Sequence, residues 1–188
     1  FQGGTLMVSA AGTVPDNFSV DGSFTNTIDA AGKAATFSGI FSDQAGLNGN
    51  LNFINSGSSA AVISLTNQST YSGFTAIGRN VALVINGSTA SDVLVGEGGT
   101  LGGNGVIKAN VFNFGTVSPG QSIGTLTIEG GSFLQDKAGT LAIEVAGAGQ
   151  SDLLQLKGAG SGQTIFLEGN LLLTSYQGAA ITPGIIYT

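Results

Sequence analysis

Two glutamates are the side chains best placed for chemistry in this sequence. Glu129 and Glu144 follow the same Leu-x-Ile pattern, in TLTIE and TLAIE. Lined up on the outer face of successive coils, two carboxylates could act as the acid and base of glycoside hydrolysis. Such a site also needs a cleft with stacking aromatic rings, whereas the chain has no Trp and only three scattered tyrosines, Tyr71, Tyr176 and Tyr187. We therefore interpret both glutamates as solvated groups that maintain solubility.

The residues that usually carry nucleophilic catalysis are missing. The chain contains no His and no Cys, which removes the usual general base, the commonest metal ligand and all thiol chemistry. Ser118 and Ser122 in GTVSPGQSIG have the right side chain for a nucleophile, but no base is encoded near them and Pro119-Gly120 is an ordinary turn pair. We predict a turn role for both serines, no catalytic residue and no enzymatic activity.

A glycine-rich segment raises the question of a metal site. GEGGTLGGNG, residues 96–105, is similar to the calcium-binding Gly-Gly-x-Gly-x-Asp nonapeptide, but it lacks the aspartate and does not repeat in tandem. Asp92 and Glu97 alone cannot supply the six to eight oxygens that calcium takes. We predict a structural turn here, with no metal and no cofactor.

Three asparagines stand near the ends of predicted strands: Asn55, Asn86 and Asn113. Asparagine side chains can stack on one another as an internal ladder. Asparagine also tolerates the left-handed conformation found at corners. The sequence leaves both interpretations open.

The elements that must position these residues are short β-strands. Groups that alternate apolar and polar residues recur between clusters of Gly, Asn and Ser, which favours strand over helix. In TLTIE, Leu126 and Ile128 should point to one side while Thr127 and Glu129 point to the other. The main predicted strands are LMVSA, ATFSGIF, NLNFI, AVISLT, VALVI, DVLV, VFNF, TLTIE, TLAIEV, DLLQL, TIFLE and NLLLT.

A second regularity is the recurrence of Gly-Thr-aliphatic, which indicates a corner that leads into a strand. Glycine permits the positive φ of a tight corner, and the residues that follow prefer extended backbone. Repeated corners and strands are typical of a solenoid, in which stacked coils bury a shared apolar stripe. We predict about eight coils of roughly 20 to 25 residues. An antiparallel β-sandwich is the alternative. The motif occurs at 4–6, 99–101, 115–117, 124–126 and 139–141.

Composition narrows the partners and the class of protein. Apolar residues make up 41% of the chain, so it can build a core despite its 32 glycines. The formal net charge is -6, from 5 basic and 11 acidic residues. No basic cluster is present that could bind nucleic acid. FQGGTL at the start and GIIYT at the end are both strand-like, so we expect a segment of a longer solenoid or a neighbour that covers an open edge.

Residues 61–105 resemble the passenger-associated β-strand repeat of bacterial autotransporters. In that repeat a strand is followed by a Tyr-Ser/Thr-Gly-x-Thr turn, further short strands and a Gly-Thr-Leu-Gly-Gly-Asn-Gly close. The matching positions here are Tyr71, Ser72, Gly73, Thr75 and residues 99–105. Residues 17–41 resemble the coil that precedes the repeat, and VFNFGTVSPGQSIGTLTIEGG, residues 111–131, resembles the Ser-Pro-Gly-x-Ser-Ile-Gly-x-Leu segment that follows it.

The C-terminal residues resemble another part of the same family. TLAIEVAGAGQSDLLQLKG and GNLLLTSYQGAAITPGIIYT are similar to the last coils before the membrane barrel, which often act as an intramolecular chaperone. The resemblance implies a right-handed single-stranded parallel β-helix, a β-solenoid that is continuous over residues 1–188. It also implies an autochaperone-like function for residues 104–188.

The resemblance further implies a location and a function. Such a passenger is exported through the outer membrane by a C-terminal β-barrel of the same polypeptide, the type V route, and that barrel is absent from this sequence. We expect a structural stalk in a cell-surface adhesin or virulence factor, whose partners are its own barrel, a host surface or further copies of itself. Nucleic acid and small-molecule substrates are not expected.

Two other functions stay open at this point. The chain could be the non-catalytic stalk of a secreted protease, esterase or polysaccharide-active enzyme whose active site lies upstream. It could also be a carbohydrate-binding module that uses shallow polar faces and outward tyrosines.

Overall fold

The computed structural model describes residues 1–158 and 162–181. Within these residues the regular structure is 22 short β-strands and two 3₁₀ turns, Gly147–Gly149 and Tyr176–Gly178. The first eleven strands are β1 (Gly4–Met7), β2 (Gly12–Val14), β3 (Phe18–Val20), β4 (Asn26–Asp29), β5 (Ala34–Phe37), β6 (Phe41–Asp43), β7 (Leu51–Ile54), β8 (Ala61–Leu65), β9 (Phe74–Ile77), β10 (Val81–Ile85) and β11 (Ser88–Thr89). The other eleven are β12 (Asp92–Val95), β13 (Thr100–Gly103), β14 (Val106–Ile107), β15 (Val111–Asn113), β16 (Thr116–Pro119), β17 (Thr125–Glu129), β18 (Phe133–Gln135), β19 (Thr140–Val145), β20 (Leu153–Lys157), β21 (Ile165–Leu167) and β22 (Asn170–Ser175).

Successive strands lie on three faces in turn, so that the chain winds as a three-sided coil. Face A is the sheet β1-β4-β7-β9-β12-β15-β18-β21, and face B is the sheet β2-β5-β8-β10-β13-β16-β19-β22. Face C comprises the pair β3-β6 and the sheet β11-β14-β17-β20. Residues 68–71 connect its two parts, because Gln68 bridges to Ser88 and the Tyr71 N–H donates to the Phe41 carbonyl.

Every pairing between these strands, across the described part of the chain, is parallel. The prediction of an all-β parallel β-helix is confirmed, and the β-sandwich alternative is wrong because it requires antiparallel neighbours. The right-handed sense of the winding stays a prediction, favoured by the general handedness of parallel crossovers.

The coils differ in length along the axis. On face A, paired residues are 22 and 25 positions apart at the N-terminal end, 18 apart in the middle and 32 apart where Phe133 pairs with Ile165. Eight strands on each of faces A and B agree with the predicted number of coils. The predicted length of 20 to 25 residues per coil lies between the shortest and the longest coils of face A.

Aliphatic side chains from successive coils form continuous columns inside the winding. The column on face B consists of Ile63, Leu83, Leu101, Val117 and Leu141, all buried and all in register. Leu126 and Ile128 are 0% exposed on face C, as the alternation in TLTIE predicts. Each such side chain contributes about 1.5 to 3 kcal/mol by its burial. The apolar columns therefore hold the coils together.

Three of the Gly-Thr-aliphatic motifs stack directly on face B, where Thr100 pairs with Thr116 and Thr116 with Thr140. The preceding glycines do not have the positive φ that the sequence suggested, and of the five motif glycines only Gly4 does. Glycine is needed at these corners because there is no room for a side chain: a Cβ on Gly115 would lie 2.3 Å from the Gly96 carbonyl oxygen. The stacked corners approach too closely for any side chain.

The two ends of the β-helix have different cores. Near the N-terminus, Phe18, Phe37, Phe41 and Tyr71 form a cluster in which the Phe18 and Phe41 rings stack with centroids 5.0 Å apart. At the other end, the inward-facing side chains of the last described coil are largely exposed, Leu171 at 65%.

The predicted strand GIIYT lies outside the described residues. None of the helices in the described residues could cross a membrane.

Candidate functional site

Glu129 and Glu144, which share the Leu-x-Ile pattern, lie on different faces. Glu129 is the last residue of β17 on face C, where it pairs in register with Lys157. Glu144 lies in β19 on face B, where it pairs with Thr174. They do not line up, because the Leu-x-Ile pattern recurs from strand to strand, whereas alignment requires recurrence from coil to coil. The structure does not bring them together as an acid and base.

A surface groove of about 540 Å³ runs along face C. Amide and hydroxyl groups dominate its lining, and no aromatic ring contributes to it: Thr66, Asn67, Gln68, Asn86, Gly87, Ser88, Val106, Lys108 and Glu129. Several of these polar groups are already engaged within the protein, since Asn67 donates to the Ser38 carbonyl at 2.9 Å and Asn86 donates to Gln121 at 2.9 Å. This groove has polar groups but no stacking platform for a sugar ring.

The two serines of GTVSPGQSIG have different environments. Ser122 is exposed in a turn with a φ of 80°, which agrees with the predicted turn role. Ser118 lies within strand β16, so the turn prediction is wrong for that residue. The turn begins after Pro119, where Gly103 and Gly120 exchange backbone hydrogen bonds of 3.1 and 2.9 Å. Among the described residues, neither serine side chain has a hydrogen bond to a base.

A buried aspartate that the sequence did not single out secures this turn. Asp152 is 3% exposed, and its carboxylate accepts hydrogen bonds of 2.9 Å from the backbone N–H groups of Gly124 and Glu144. Burial raises the pKa of Asp152, and the nearby Glu144 carboxylate adds to the increase while the two hydrogen bonds oppose it. Asp152 thus joins the turn before β17 to the loop after β19, a contact between residues 28 positions apart.

The glycine-rich segment 96–105 divides into a turn, the strand β13 and a second bend, so the turn prediction holds only for its ends. Asp92 accepts hydrogen bonds from the backbone and side chain of Asn110 at 2.9 and 3.0 Å. Glu97 forms an exposed ion pair with Arg79, at 3.5 Å. No group of three potential metal ligands occurs in the described residues.

The three asparagines neither stack on one another nor adopt a left-handed backbone, so both interpretations of them are wrong. Asn55 donates to the carbonyls of Ser59 and Asn80, and Asn86 accepts from the Asn104 N–H. The buried Asn113 donates to Gln135 at 2.9 Å and to the Thr140 carbonyl at 3.1 Å. Each asparagine instead connects its coil to a neighbouring coil through hydrogen bonds to backbone or side-chain groups.

Tyr71, the tyrosine of the predicted repeat turn, is part of the core. It is 0% exposed, and its hydroxyl lies 2.5 Å from the Thr75 hydroxyl, which lies 2.5 Å from that of Ser91. Thr89 completes this buried hydroxyl chain at 2.8 Å from Ser91. Burial raises the pKa of Tyr71. Tyr71 therefore cannot present a ring to a glycan, Tyr176 is only partly exposed, and Tyr187 lies outside the described residues.

Face A carries an exposed apolar surface that sequence reasoning missed. Leu94, Phe112, Leu134 and Phe166 pair in register on four successive strands and point outward. With Phe114 they form what we call the apolar stripe. The alternation in each strand could have shown that these residues point away from the core, but only the register shows that they are adjacent.

No protein-family model matches the sequence. The chain is similar to an extracellular serine protease of Serratia marcescens, with 34% identity over 133 residues. The similarity covers 69% of this chain and 12% of that protease. The chain therefore spans a small part of the length of the relative it matches.

Proposed function

We propose that this chain is a structural segment of a secreted autotransporter passenger, a β-helical stalk that has no active site of its own. The observation that carries the proposal is the stack of eight in-register coils around a continuous apolar interior. Similarity to part of an extracellular protease supports a secreted location outside the cell. Its partner in export would be a C-terminal outer-membrane β-barrel of the same polypeptide, and a host surface or another copy would be its partner in adhesion or virulence.

The arrangement of the coils supports a contribution to export. A solenoid folds coil by coil, and each finished coil presents a strand edge on which the next can form. The pairings of β17 with β20 and of β19 with β22, over five and six residues, are among the longest in the protein. Residues 104–188 would nucleate folding outside the cell, so that the folded coils oppose backsliding of the chain.

Two neighbouring residues of β8 test this proposal in the full-length polypeptide. Ile63 is 0% exposed and points inward, whereas Val62 is 41% exposed and points outward. Ile63→Asp should reduce both the amount of passenger on the cell surface and its resistance to trypsin, because it places an unpaired charge in the core. Val62→Asp is the matched control and should leave both unchanged. Equal export of the two variants would contradict a role for coil folding in secretion.

A deletion tests whether residues 104–188 contribute to export. Deleting residues 104–188 from the full-length polypeptide should lower secretion and the protease resistance of the remaining passenger. If both quantities stayed unchanged, the autochaperone-like function would be wrong, while the stalk function would stand.

A second candidate is the stalk of a secreted serine protease, which the name of the Serratia relative favours. The present sequence has no His, so the catalytic residues would lie elsewhere in the polypeptide. A fluorophosphonate probe, which labels activated serines, should then label the full-length polypeptide outside residues 1–188. Labelling of Ser118 or Ser122 would show instead that this segment is catalytic.

A further inference from the structure

We propose that the apolar stripe on face A binds an extended peptide segment of a partner protein that presents apolar side chains and Lys or Arg on one side, at positions two residues apart. The stripe is Leu94, Phe112, Phe114, Leu134 and Phe166, and the acidic residues Asp136 and Glu168 lie at its edge. This inference goes beyond the stalk function and does not depend on export.

The stripe is a contiguous surface and not a scatter of exposed residues. Neighbouring strands of a sheet are about 4.8 Å apart, so four paired residues extend over about 14 Å. Phe166 is 51% exposed and Phe114 is 41% exposed. The same column nearer the N-terminus consists of Thr5, Thr27, Asn52 and Ala76. This column is therefore apolar only in its C-terminal half, while exposed apolar side chains such as Ile54 and Phe74 lie beside its polar half.

Between these side chains lies a groove of about 240 Å³, lined by Phe112, Phe114, Leu134, Phe166 and three polar residues. Of the three polar residues, Gln135 is already satisfied, since it accepts from Asn113 and donates to the Glu168 and Asn170 carbonyls. The other two are the carboxylates of Asp136 and Glu168. The groove therefore offers an incoming group aromatic faces and negative charge.

Charge complementarity decides the kind of partner. The ion pair found among the described residues joins Arg79 and Glu97, so the structure leaves Asp136 and Glu168 without a cationic partner. A Lys or Arg side chain can pair with these carboxylates and lie over a phenylalanine ring. In an extended segment, the residues two positions before and after that Lys or Arg point to the same side as it does. Apolar side chains at those positions can therefore cover the stripe.

A second copy of this chain fits less well. It would bring a net charge of -6 against the same charge. The five side chains of the stripe also offer much less than the roughly 800 Å² per partner of a standard stable interface. A neutral glycan would find few donors in the groove, because a carboxylate at neutral pH only accepts hydrogen bonds.

The experiment uses the 188-residue chain and two acetylated seven-residue peptides. The first has Phe, Lys, Leu and Lys at alternate positions with Ser between them, and the second has Glu in place of each Lys. Fluorescence anisotropy should show binding of the Lys peptide at least about fivefold tighter than that of the Glu peptide. Added salt should reduce the difference. Equal affinity for the two peptides would overturn the proposal.

Substitutions in the apolar stripe test whether the Lys peptide binds there. Phe166→Ser should weaken binding of the Lys peptide about tenfold, because it removes an anchoring ring. Phe24→Ser is the matched control, since Phe24 is 52% exposed and lies in the turn before β4, away from the stripe, and it should not change affinity. Asp136→Asn combined with Glu168→Gln should abolish the preference for Lys over Glu. If Phe166→Ser and Phe24→Ser weaken binding equally, or if the chain binds neither peptide, the proposal is wrong.

Discussion

The N-terminal region, residues 1–71, and the C-terminal region, residues 92–175, differ in the side of the winding on which most of their phenylalanines lie. Phe37, Phe41 and Phe53 are buried in the N-terminal region. In the C-terminal region the described core contains one buried phenylalanine, Phe133, while Phe112, Phe114 and Phe166 line the outside of face A. The first region uses aromatic residues for stability, and the second leaves them available for a partner.

Position within the strand gives the physical reason for this difference. Successive residues of a strand point to opposite sides of the sheet. Phe53 lies two residues after the buried Leu51 and points inward with it. Phe112 lies between the buried Val111 and Asn113 and therefore points outward. Coil length does not account for the difference, because Phe112 and Leu134 are 22 residues apart, as are the first two strands of face A.

The largest expected effect separates the inside of the C-terminal region from its outside. Ile128→Asp should unfold the C-terminal coils, at a cost above about 4 kcal/mol, because an unpaired charge would enter the aliphatic column. Val106→Asp, on the neighbouring strand of face C with a half-buried outward side chain, is the control and should cost far less. Thermal melting checks both variants, and an unchanged melt of Ile128→Asp would show that Ile128 is not inside.

The corresponding change in the N-terminal region is Phe41→Ala. Its ring contacts those of Phe18, Phe37 and Tyr71, so truncation should cost about 3 to 5 kcal/mol. Hydrogen exchange should accelerate in residues 1–71 and much less in residues 92–175, because each coil contacts only its neighbours. Phe74→Ala, at an exposed ring, should change stability by less than about 0.5 kcal/mol. Uniform acceleration along the whole chain would mean that the two regions unfold as one unit.

Tyr71→Phe tests the junction between the regions. It removes the hydroxyl that contacts Thr75 and leaves buried hydroxyls of Thr75, Ser91 and Thr89 with fewer partners. The expected cost is about 1 to 3 kcal/mol, seen as a lower denaturant midpoint. In the control Tyr176→Phe the lost hydroxyl contacts Gln177 at the surface, and the midpoint should hardly move. Identical shifts would argue against a special role for the buried hydroxyl chain.

The smallest effect is an opposite response of the two regions to acid. Hydrogen bonding by the side chain and backbone of Ser56 lowers the pKa of Asp29 despite its burial. Its stabilisation of the N-terminal region is present above the ordinary aspartate pKa and should be lost as pH falls through the folded value. Burial raises the pKa of Asp152, so its contribution in the C-terminal region is present at low pH and should be lost as pH rises through the folded value.

Region-resolved hydrogen exchange between pH 3 and pH 6, corrected for the intrinsic exchange rate, measures this response. Asp29→Asn should remove the acid sensitivity near residues 29–56, and Asp152→Asn should remove the opposite trend near residues 120–152. If both regions lost stability together on acidification, with no change in either variant, these two carboxylates would not control the response.

Much of the fold follows from local pattern. Alternation in segments such as TLTIE predicted that Leu126 and Ile128 are buried, and both are fully buried. The recurrence of corners and strands predicted a stack of about eight coils, and faces A and B each have eight strands. These features depend on neighbouring residues in the chain and on the two-residue period of a strand.

The candidate sites were harder to predict because they depend on register. Glu129 and Glu144 share a local pattern but lie on different faces. Asp152 has no distinctive sequence context, yet it joins residues from two coils. Tyr71 matched a turn motif and lies in the core.

The sequence by itself determined that this chain forms strands, that the strands have one apolar side and that they must stack to cover it. Only the tertiary structure decided which residues of different coils become neighbours, and therefore that Leu94, Phe112, Leu134 and Phe166 form one surface. The reason is that coil length on face A varies from 18 to 32 residues. The corners take up these differences while the strands stay in register, so the sequence spacing between stacked residues changes from coil to coil and no local pattern records it.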